Sequence, residues 1–88
     1  MNGADFTGPT ESERARQRQL VLAALRVGPL SSVEGRERLG VLSPAARVME
    51  LRRAGHHIVT IRGNRLDEHG RRHLCGVYVL TEGTSDEP

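Results

Sequence analysis

The sequence predicts a small α+β domain in which three helices precede a C-terminal β-hairpin. Three residues that commonly cap helices stand ahead of helical patterns, at Thr10, Ser31 and Ser43. Two runs of β-branched and aromatic residues, 58–61 and 77–79, are separated by turn residues, as expected for two paired strands. A chain of 88 residues is large enough for one hydrophobic core and too small for two.

Composition sets the expected boundaries of the domain and its compartment. Residues 1–9 are polar and aperiodic, and 81–88 are acidic, so we expect two flexible tails around a domain at 10–80. The longest apolar run, Leu20–Leu25, is far shorter than the roughly 20 residues that cross a bilayer. No signal-peptide pattern is visible, and the single cysteine, Cys75, fits a reducing compartment. These features predict a cytoplasmic protein with no membrane partner.

The first helix is predicted from a capping box to a glycine–proline stop. Thr10 is followed three residues later by Glu13, so each side chain can bond the backbone N–H of the other. The helix should continue to about Val27, because Gly28-Pro29 ends the pattern. Leu30 is expected to form a minimal strand.

The second helix is predicted over about Ser32–Leu39. Ser31 and Glu34 form the next capping box, and Gly40 follows the last apolar residue of the pattern. Gly35, inside this segment, lowers its helix propensity.

The third helix is predicted over Pro44–Ala54, with Ser43 as its cap and Gly55 as its stop. Proline is well suited to the first helical position, where its missing N–H would have no partner. Val48 and Leu51 are expected to face inward. The residues expected to face outward are Ala46, Arg47, Glu50 and Arg53.

A hairpin is predicted from strands at His56–Arg62 and Leu74–Leu80, joined by a tip at Gly63–Arg72. Alternation places Val59 and Ile61 with Val77 and Val79 on one face, and the remaining apolar residues on the other. Because only one face can pack on the helices, we hypothesise that the second face, or the edge strand, pairs two subunits or binds a partner protein. Folding of the N-terminal tail over this face is the alternative.

The positive charge is concentrated in the second half of the chain. All 13 basic residues are arginine, and the segment from Arg47 to His73 carries seven of them against three acidic residues, a net charge of +4. The planar guanidinium forms paired hydrogen bonds with phosphate and with guanine. An anionic nucleic acid is therefore the first partner to consider.

Several segments follow one another in a characteristic order. They are Leu30-Ser-Ser-Val-Glu, Leu39-Gly, Ser43-Pro-Ala-Ala-Arg-Val, Leu51-Arg-Arg-Ala-Gly55, Ile58 and Tyr78-Val-Leu80. Together these segments, which cover about 17–80, resemble the small winged helix-turn-helix domains found in bacteriophage and prophage genes. The resemblance implies a winged helix-turn-helix fold and double-stranded DNA as the ligand. The long hairpin tip rich in arginine and histidine departs from that pattern.

A recognition helix places its N-terminal half in the major groove, which here is the first half of 44–54. The expected base contacts are Ser43, Ala46, Arg47 and Glu50. Arg47 is the best candidate to bind a guanine edge, although it could instead form an i,i+3 pair with Glu50 at the surface. The expected DNA backbone contacts, most of them in the 63–73 wing, are Arg53, Arg62, Arg65, Arg71 and Arg72.

These features predict a transcriptional regulator or an excisionase-like architectural factor of phage type that binds double-stranded DNA. The alternative is a non-catalytic protein-interaction module on the same scaffold. No nucleophile–base pair, phosphate-binding glycine loop or carboxylate cluster is visible, so no enzyme, cofactor or small-molecule substrate is expected. His69, His73 and Cys75 lack the CxxC element typical of zinc sites, and no metal is expected.

Overall fold

A computed structural model describes residues 8–81, and the predicted tails lie outside this range except for Gly8, Pro9 and Thr81. The elements, in chain order, are α1 (Glu11–Val27), β1 (Leu30–Ser31), α2 (Ser32–Glu37), α3 (Pro44–Arg53), β2 (Ile58–Leu66) and β3 (Arg72–Leu80). The predicted α+β class, three helices followed by a hairpin, is confirmed. No helix in the described range is both long and apolar enough to cross a bilayer.

Both predicted capping boxes are present. The Thr10 hydroxyl accepts from the Glu13 N–H at 3.1 Å, and the Glu13 carboxylate accepts from the Thr10 N–H at 2.9 Å. At the start of α2, Ser31 and Glu34 make the same exchange at 3.0 and 2.9 Å. These local bonds explain why the starts of α1 and α2 were predictable from sequence.

The turn between α2 and α3 depends on close packing at Gly35. A Cβ at this position would lie 2.8 Å from Cγ of Pro44, so only glycine allows α3 to begin this close to α2. The Gly35 carbonyl accepts from the Val41 N–H at 3.0 Å, and Gly40 takes a φ of 69°. The chain therefore turns after Glu37, and the prediction that this helix reaches Leu39 was two residues too long.

Helix α3 begins at Pro44 as predicted, but the Ser43 side chain makes no capping hydrogen bond. The Ser43 carbonyl instead accepts from the N–H groups of Ala46 and Arg47 at 3.1 and 3.3 Å. The helix ends one residue earlier than predicted, and Gly55 follows with a φ of 108°, as suits a C-terminal stop.

The sheet has the order β1-β3-β2, with antiparallel pairing throughout. The short β1, predicted at Leu30, pairs with β3 at Leu30–Tyr78 and Ser31–Val77. The predicted tip at Gly63–Arg72 was too long, because β2 and β3 stay paired as far as Leu66 and Arg72. Gly63 is not a turn residue but lies within β2, opposite Cys75. The connecting loop comprises 67–71 only.

One core joins α1 and α3 to the sheet. Its buried members are Val21, Leu25, Leu30, Val41, Val48, Leu51, Ile58 and Tyr78. Only Tyr78 among them is aromatic, so aliphatic packing dominates this core. Ile58, Tyr78 and Leu80, which share one face of the hairpin, contribute to this core. On the opposite face, Val77 and Cys75 are also buried.

Candidate nucleic-acid interface

The buried side of α3 includes Val48 and Leu51, as predicted, and also Arg47, which was expected to face outward. Pro44, Arg47, Val48 and Leu51 are buried, at positions i, i+3, i+4 and i+7. The exposed residues of the helix are Ala45, Met49, Arg52 and Arg53. The surface that α3 presents to a ligand is thus defined by these four side chains together with Ser43 at the N-cap.

The prediction that Arg47 faces outward is wrong. Arg47 is 5% exposed, and its Nη1 donates to Oε1 of Gln17 on α1 at 3.0 Å. Its Nη2 donates to Oε2 of Glu50 at 3.0 Å, while its buried Nε has no hydrogen-bond partner within the described part of the chain. The guanidinium is held inside the α1–α3 contact because Gln17 and Glu50 supply the polar partners that burial demands.

Glu50 is half-buried, and both of its carboxylate oxygens are engaged. Oε1 accepts from Nη1 of Arg18 at 2.8 Å, and Oε2 accepts from Arg47, which confirms the predicted i,i+3 pair but places it below the surface. Partial burial favours a higher pKa for Glu50, but the hydrogen bond from Arg18 and the charges of Arg47 and Arg18 outweigh it and lower the pKa. Glu50 is therefore an ionised link between α3 and α1.

The pairing continues along α1. Arg18 also donates from Nη2 to Oε2 of Glu11 at 2.6 Å, and this hydrogen bond is the main reason that the pKa of Glu11 is lowered. Arg18 thus connects Glu11 at the start of α1 with Glu50 on α3.

Ser43 and Ala46, the other two predicted base contacts, lie at the start of α3. Ser43 is exposed and Ala46 is half-buried. Both line a groove of about 550 Å³ between the N-terminal parts of α1 and α3, which Arg16 and Gln17 border on the other side. The four predicted base contacts therefore do not share one exposed surface.

Arg52 ties the end of α3 to the hairpin. Its Nε donates to the Ile58 carbonyl at 2.8 Å, and its Nη2 donates to Oγ1 of Thr60 at 2.7 Å. Arg53, a predicted backbone contact, is exposed, and its Nη2 donates to Sδ of Met49 at 3.5 Å. The two arginines place positive charge where α3 meets β2.

The hairpin arginines separate onto two faces. Thr60, Arg62, Leu66 and Arg72 share one face, because Thr60 pairs with Tyr78 and Leu66 pairs with Arg72 in an alternating register. Arg62 follows Thr60 by two residues, about 7 Å along the strand. Arg65 lies on the opposite face with its strand partner His73.

We call the face of the hairpin that carries Thr60, Arg62 and Arg72 the basic face. It has no acidic residue among the positions described, and Arg62 and Arg72 form no ion pair with a described carboxylate. Because Arg52 bonds Thr60, the basic face adjoins the exposed end of α3. The structure thus places Arg62 and Arg72 on one face of the hairpin, next to the end of α3 that carries Arg52 and Arg53, whereas Arg71 lies in the tip loop.

Asp67 organises the tip of the hairpin. Its Oδ2 lies 2.7 Å from Nε2 of His73, and its Oδ1 accepts from the N–H groups of His69 and Arg71 at 2.9 and 2.8 Å. The hydrogen bond with His73, supported by these backbone donors, lowers the pKa of Asp67 to about 2. Between residues 8 and 81 there is no group of three or more His, Cys, Asp or Glu side chains placed to hold a metal ion.

The sequence analysis missed Met49 and Arg52 as exposed residues of α3. The signal was present, because Pro44, Val48 and Leu51 match a helical core stripe that position 47 completes. Because Arg47 is charged, the sequence favoured an exposed position for it. Its burial is feasible because Gln17 on α1 and Glu50, one turn later on α3, accept its hydrogen bonds.

Comparison with known proteins assigns most of the chain to one family. A family model described as a winged helix-turn-helix domain matches residues 16–83. Neither a search of curated proteins nor a search of solved structures gives a match to this chain.

Proposed function

Because the chain belongs to the winged helix-turn-helix domain family, we propose that it binds double-stranded DNA, with α3 in the major groove and the hairpin against the phosphate backbone. The observation on which the proposal depends is the positive charge at the end of α3 and on the adjoining basic face. Arg53, Arg62 and Arg72 are exposed there, with no carboxylate partner in the described structure. Phosphate oxygens are the acceptors that such guanidinium groups prefer.

The acidic residues support this orientation. On α3 the single carboxylate is Glu50, which is neutralised by Arg18 and Arg47 on the side away from the exposed surface. In the hairpin, Asp67 and Glu68 stand at the tip, beyond the paired strands. A duplex lying along α3 and the basic face would meet little negative charge before it reached the tip.

The test uses two arginines on opposite faces of β2. Binding to a random-sequence duplex is measured by fluorescence anisotropy between about 50 and 200 mM salt, a range over which phosphate contacts lose strength steeply. Arg62→Ala should weaken binding and reduce the slope of log K against log[salt] by about 1. Arg65→Ala removes the same charge from the opposite face and should have the smaller effect.

Equal effects of the two substitutions would show that the basic face does not contact the duplex. No binding at about 50 mM salt would contradict DNA binding itself, and salt-independent binding would contradict the proposed contacts with phosphates.

Within this function, we propose a phage-type transcriptional regulator or an excisionase-like architectural factor. The two roles differ in what they do to the duplex, since an architectural factor bends DNA and a regulator depends on a defined site. Selection from a randomised duplex pool, followed by a gel-based bending assay on the enriched site, separates them. A strongly bent complex favours the architectural role, and an unbent complex on a defined site favours the regulator.

A second candidate function is binding to another protein or to a second copy of this chain. It is favoured by the face opposite the basic face, where Val59 is 46% and Ile61 is 54% exposed on β2, an edge strand of the described sheet. An edge strand offers unpaired backbone groups to an incoming strand. We propose a homodimer through this edge, and a monomer at high micromolar concentration in sedimentation equilibrium would contradict it.

A further inference from the structure

The exposed surface of α3 is apolar along most of its length. Leu42, which directly precedes the N-cap, is 84% exposed, and Met49 is 51% exposed. Ala45 is also exposed and lies one helical turn before Met49, on the same side of the helix. We call Ala45 and Met49 the apolar face of α3.

Two polar side chains of α3 that could hydrogen-bond a base, Arg47 and Glu50, are already engaged elsewhere. The two Nη atoms of Arg47 donate to Gln17 and Glu50, and both oxygens of Glu50 accept from arginines. Between Ser43 and Arg52, the exposed residues of α3 are therefore Ala45 and Met49. Between the N-cap and the last turn, the exposed surface of α3 therefore offers base edges apolar contact rather than side-chain hydrogen bonds.

Positive charge borders the apolar face. Arg52 and Arg53 follow it at the end of α3, and Arg62 lies on the adjoining basic face. An apolar strip bordered by guanidinium groups complements a ligand whose rim is anionic and whose interior offers apolar groups. The major groove of DNA has this arrangement, because phosphates line its edges and the C5-methyl group of thymine projects into it.

From this arrangement we propose that α3 selects thymine-containing sites by apolar contact with thymine C5-methyl groups, made chiefly by Ala45 and Met49. The inference rests on the DNA binding proposed above and adds to it the chemical group on the DNA that α3 recognises. Alanine lets the helix backbone approach the base edges closely, and the flexible methionine side chain adapts to the position of a methyl group. Arg53 and Arg62 fix the helix on the backbone without contributing base preference.

The experiment removes only the methyl group. Affinities are compared between a duplex of alternating dA and dT and the same duplex with every dT replaced by dU, which keeps the hydrogen-bonding edges and the phosphate charge. The expected result is a loss of about fourfold in affinity for each contacted methyl group. In Met49→Ala the ratio of the two affinities should move toward 1, whereas Met49→Leu should preserve most of it.

A matched control excludes a general effect of removing exposed apolar surface. Val27→Ala shortens an exposed side chain at the end of α1, outside both proposed binding surfaces, and it should leave the dT-to-dU ratio unchanged. Met49 is half exposed and alanine is a good helix former, so Met49→Ala is expected to fold. Circular dichroism of each variant verifies this before titration.

The outcomes separate this inference from the function on which it rests. Salt-dependent binding with equal affinity for the dT and dU duplexes would overturn methyl recognition and leave DNA binding standing. An unchanged ratio in Met49→Ala would also overturn it. If neither duplex binds at low salt, both proposals fail, and the apolar face of α3 becomes a docking surface for a protein.

Discussion

Arg47 donates from Nη2 to Oε2 of Glu50, one turn later on α3, across 3.0 Å. The same guanidinium donates from Nη1 to Gln17 on α1, so one buried side chain joins two helices by hydrogen bonds. Glu50 also joins α3 to α1, because it accepts a hydrogen bond from Arg18. Arg47 and Glu50 thus fix the position of the helix, and between the N-cap and the last turn its exposed side carries only Ala45 and Met49.

Arg47→Ala should lower the free energy of unfolding by about 3 kcal/mol, because a buried hydrogen-bonded charge is removed and its partners lose their donor. Urea unfolding followed by circular dichroism measures the change. Arg53→Ala is the matched control, since this arginine is exposed, and it should change stability by no more than about 0.5 kcal/mol. A loss below about 1 kcal/mol for Arg47→Ala would mean that the guanidinium is solvated rather than buried.

Gly35→Ala should destabilise the fold by about 1–3 kcal/mol, although alanine is the better helix former. The added Cβ would meet Cγ of Pro44 at 2.8 Å, so α2 and α3 would have to separate. Gly28→Ala provides the comparison, because no atom lies within 4 Å of a Cβ there and the φ of 173° suits any residue. Similar thermal stabilities of the two variants would contradict close packing at Gly35.

The two serines that precede α2 and α3 should respond differently to substitution. Ser31→Ala removes a side-chain cap and should cost about 1 kcal/mol or more, since Ser31 is fully buried and accepts from the Glu34 N–H. Ser43→Ala removes no capping hydrogen bond and should leave stability nearly unchanged. Chemical denaturation of both variants checks the difference, and a similar cost for the two would show that Ser43 does cap α3.

The tip of the hairpin should depend on the ionisation of Asp67. Because its pKa in the folded tip is about 2, below the ordinary 3.8, the ionised form favours the ordered loop above about pH 4. This contribution is lost as the pH falls from about 4 through 2. An NMR titration of the Asp67 carboxyl carbon should give the low value directly.

A variant identifies the cause of that shift. In His73→Ala, the pKa of Asp67 should rise toward 3.8, because its main hydrogen-bond partner is gone while the N–H groups of His69 and Arg71 remain. A midpoint near 3.8 already in the unaltered protein would show that Asp67 does not accept these bonds in solution.

The parts of the fold that depend on neighbours in sequence were predictable, and those that depend on distant partners were less so. The capping boxes at Thr10 and Ser31 and the proline start of α3 each involve residues within three positions. Gly63-Asn64 has the composition of a turn, but its pairing with Cys75 and Leu74 keeps it extended within β2. A turn-forming dipeptide does not end a strand when the partner strand continues opposite it.

The candidate site shows the same division. The concentration of arginine at the end of α3 and on the hairpin was evident from sequence, and the strand alternation correctly separates the two faces. Which side of α3 is buried was not evident from sequence. Arg47 occupies a core position that fits the helical pattern, but a charged residue is not expected there. Gln17, which accepts one of its hydrogen bonds, is 30 residues away in sequence.

The two-residue strand β1 pairs with Tyr78 and Val77, near the end of the described chain. When only the three helices have emerged from the ribosome, β3, the strand with which β1 pairs, has not yet been made. Folding during synthesis therefore cannot be completed before β3 emerges. A chain cut between α3 and β3 would lose the pairing of β1 with β3. Fusion partners are accordingly best joined at the ends of the domain and not within the hairpin.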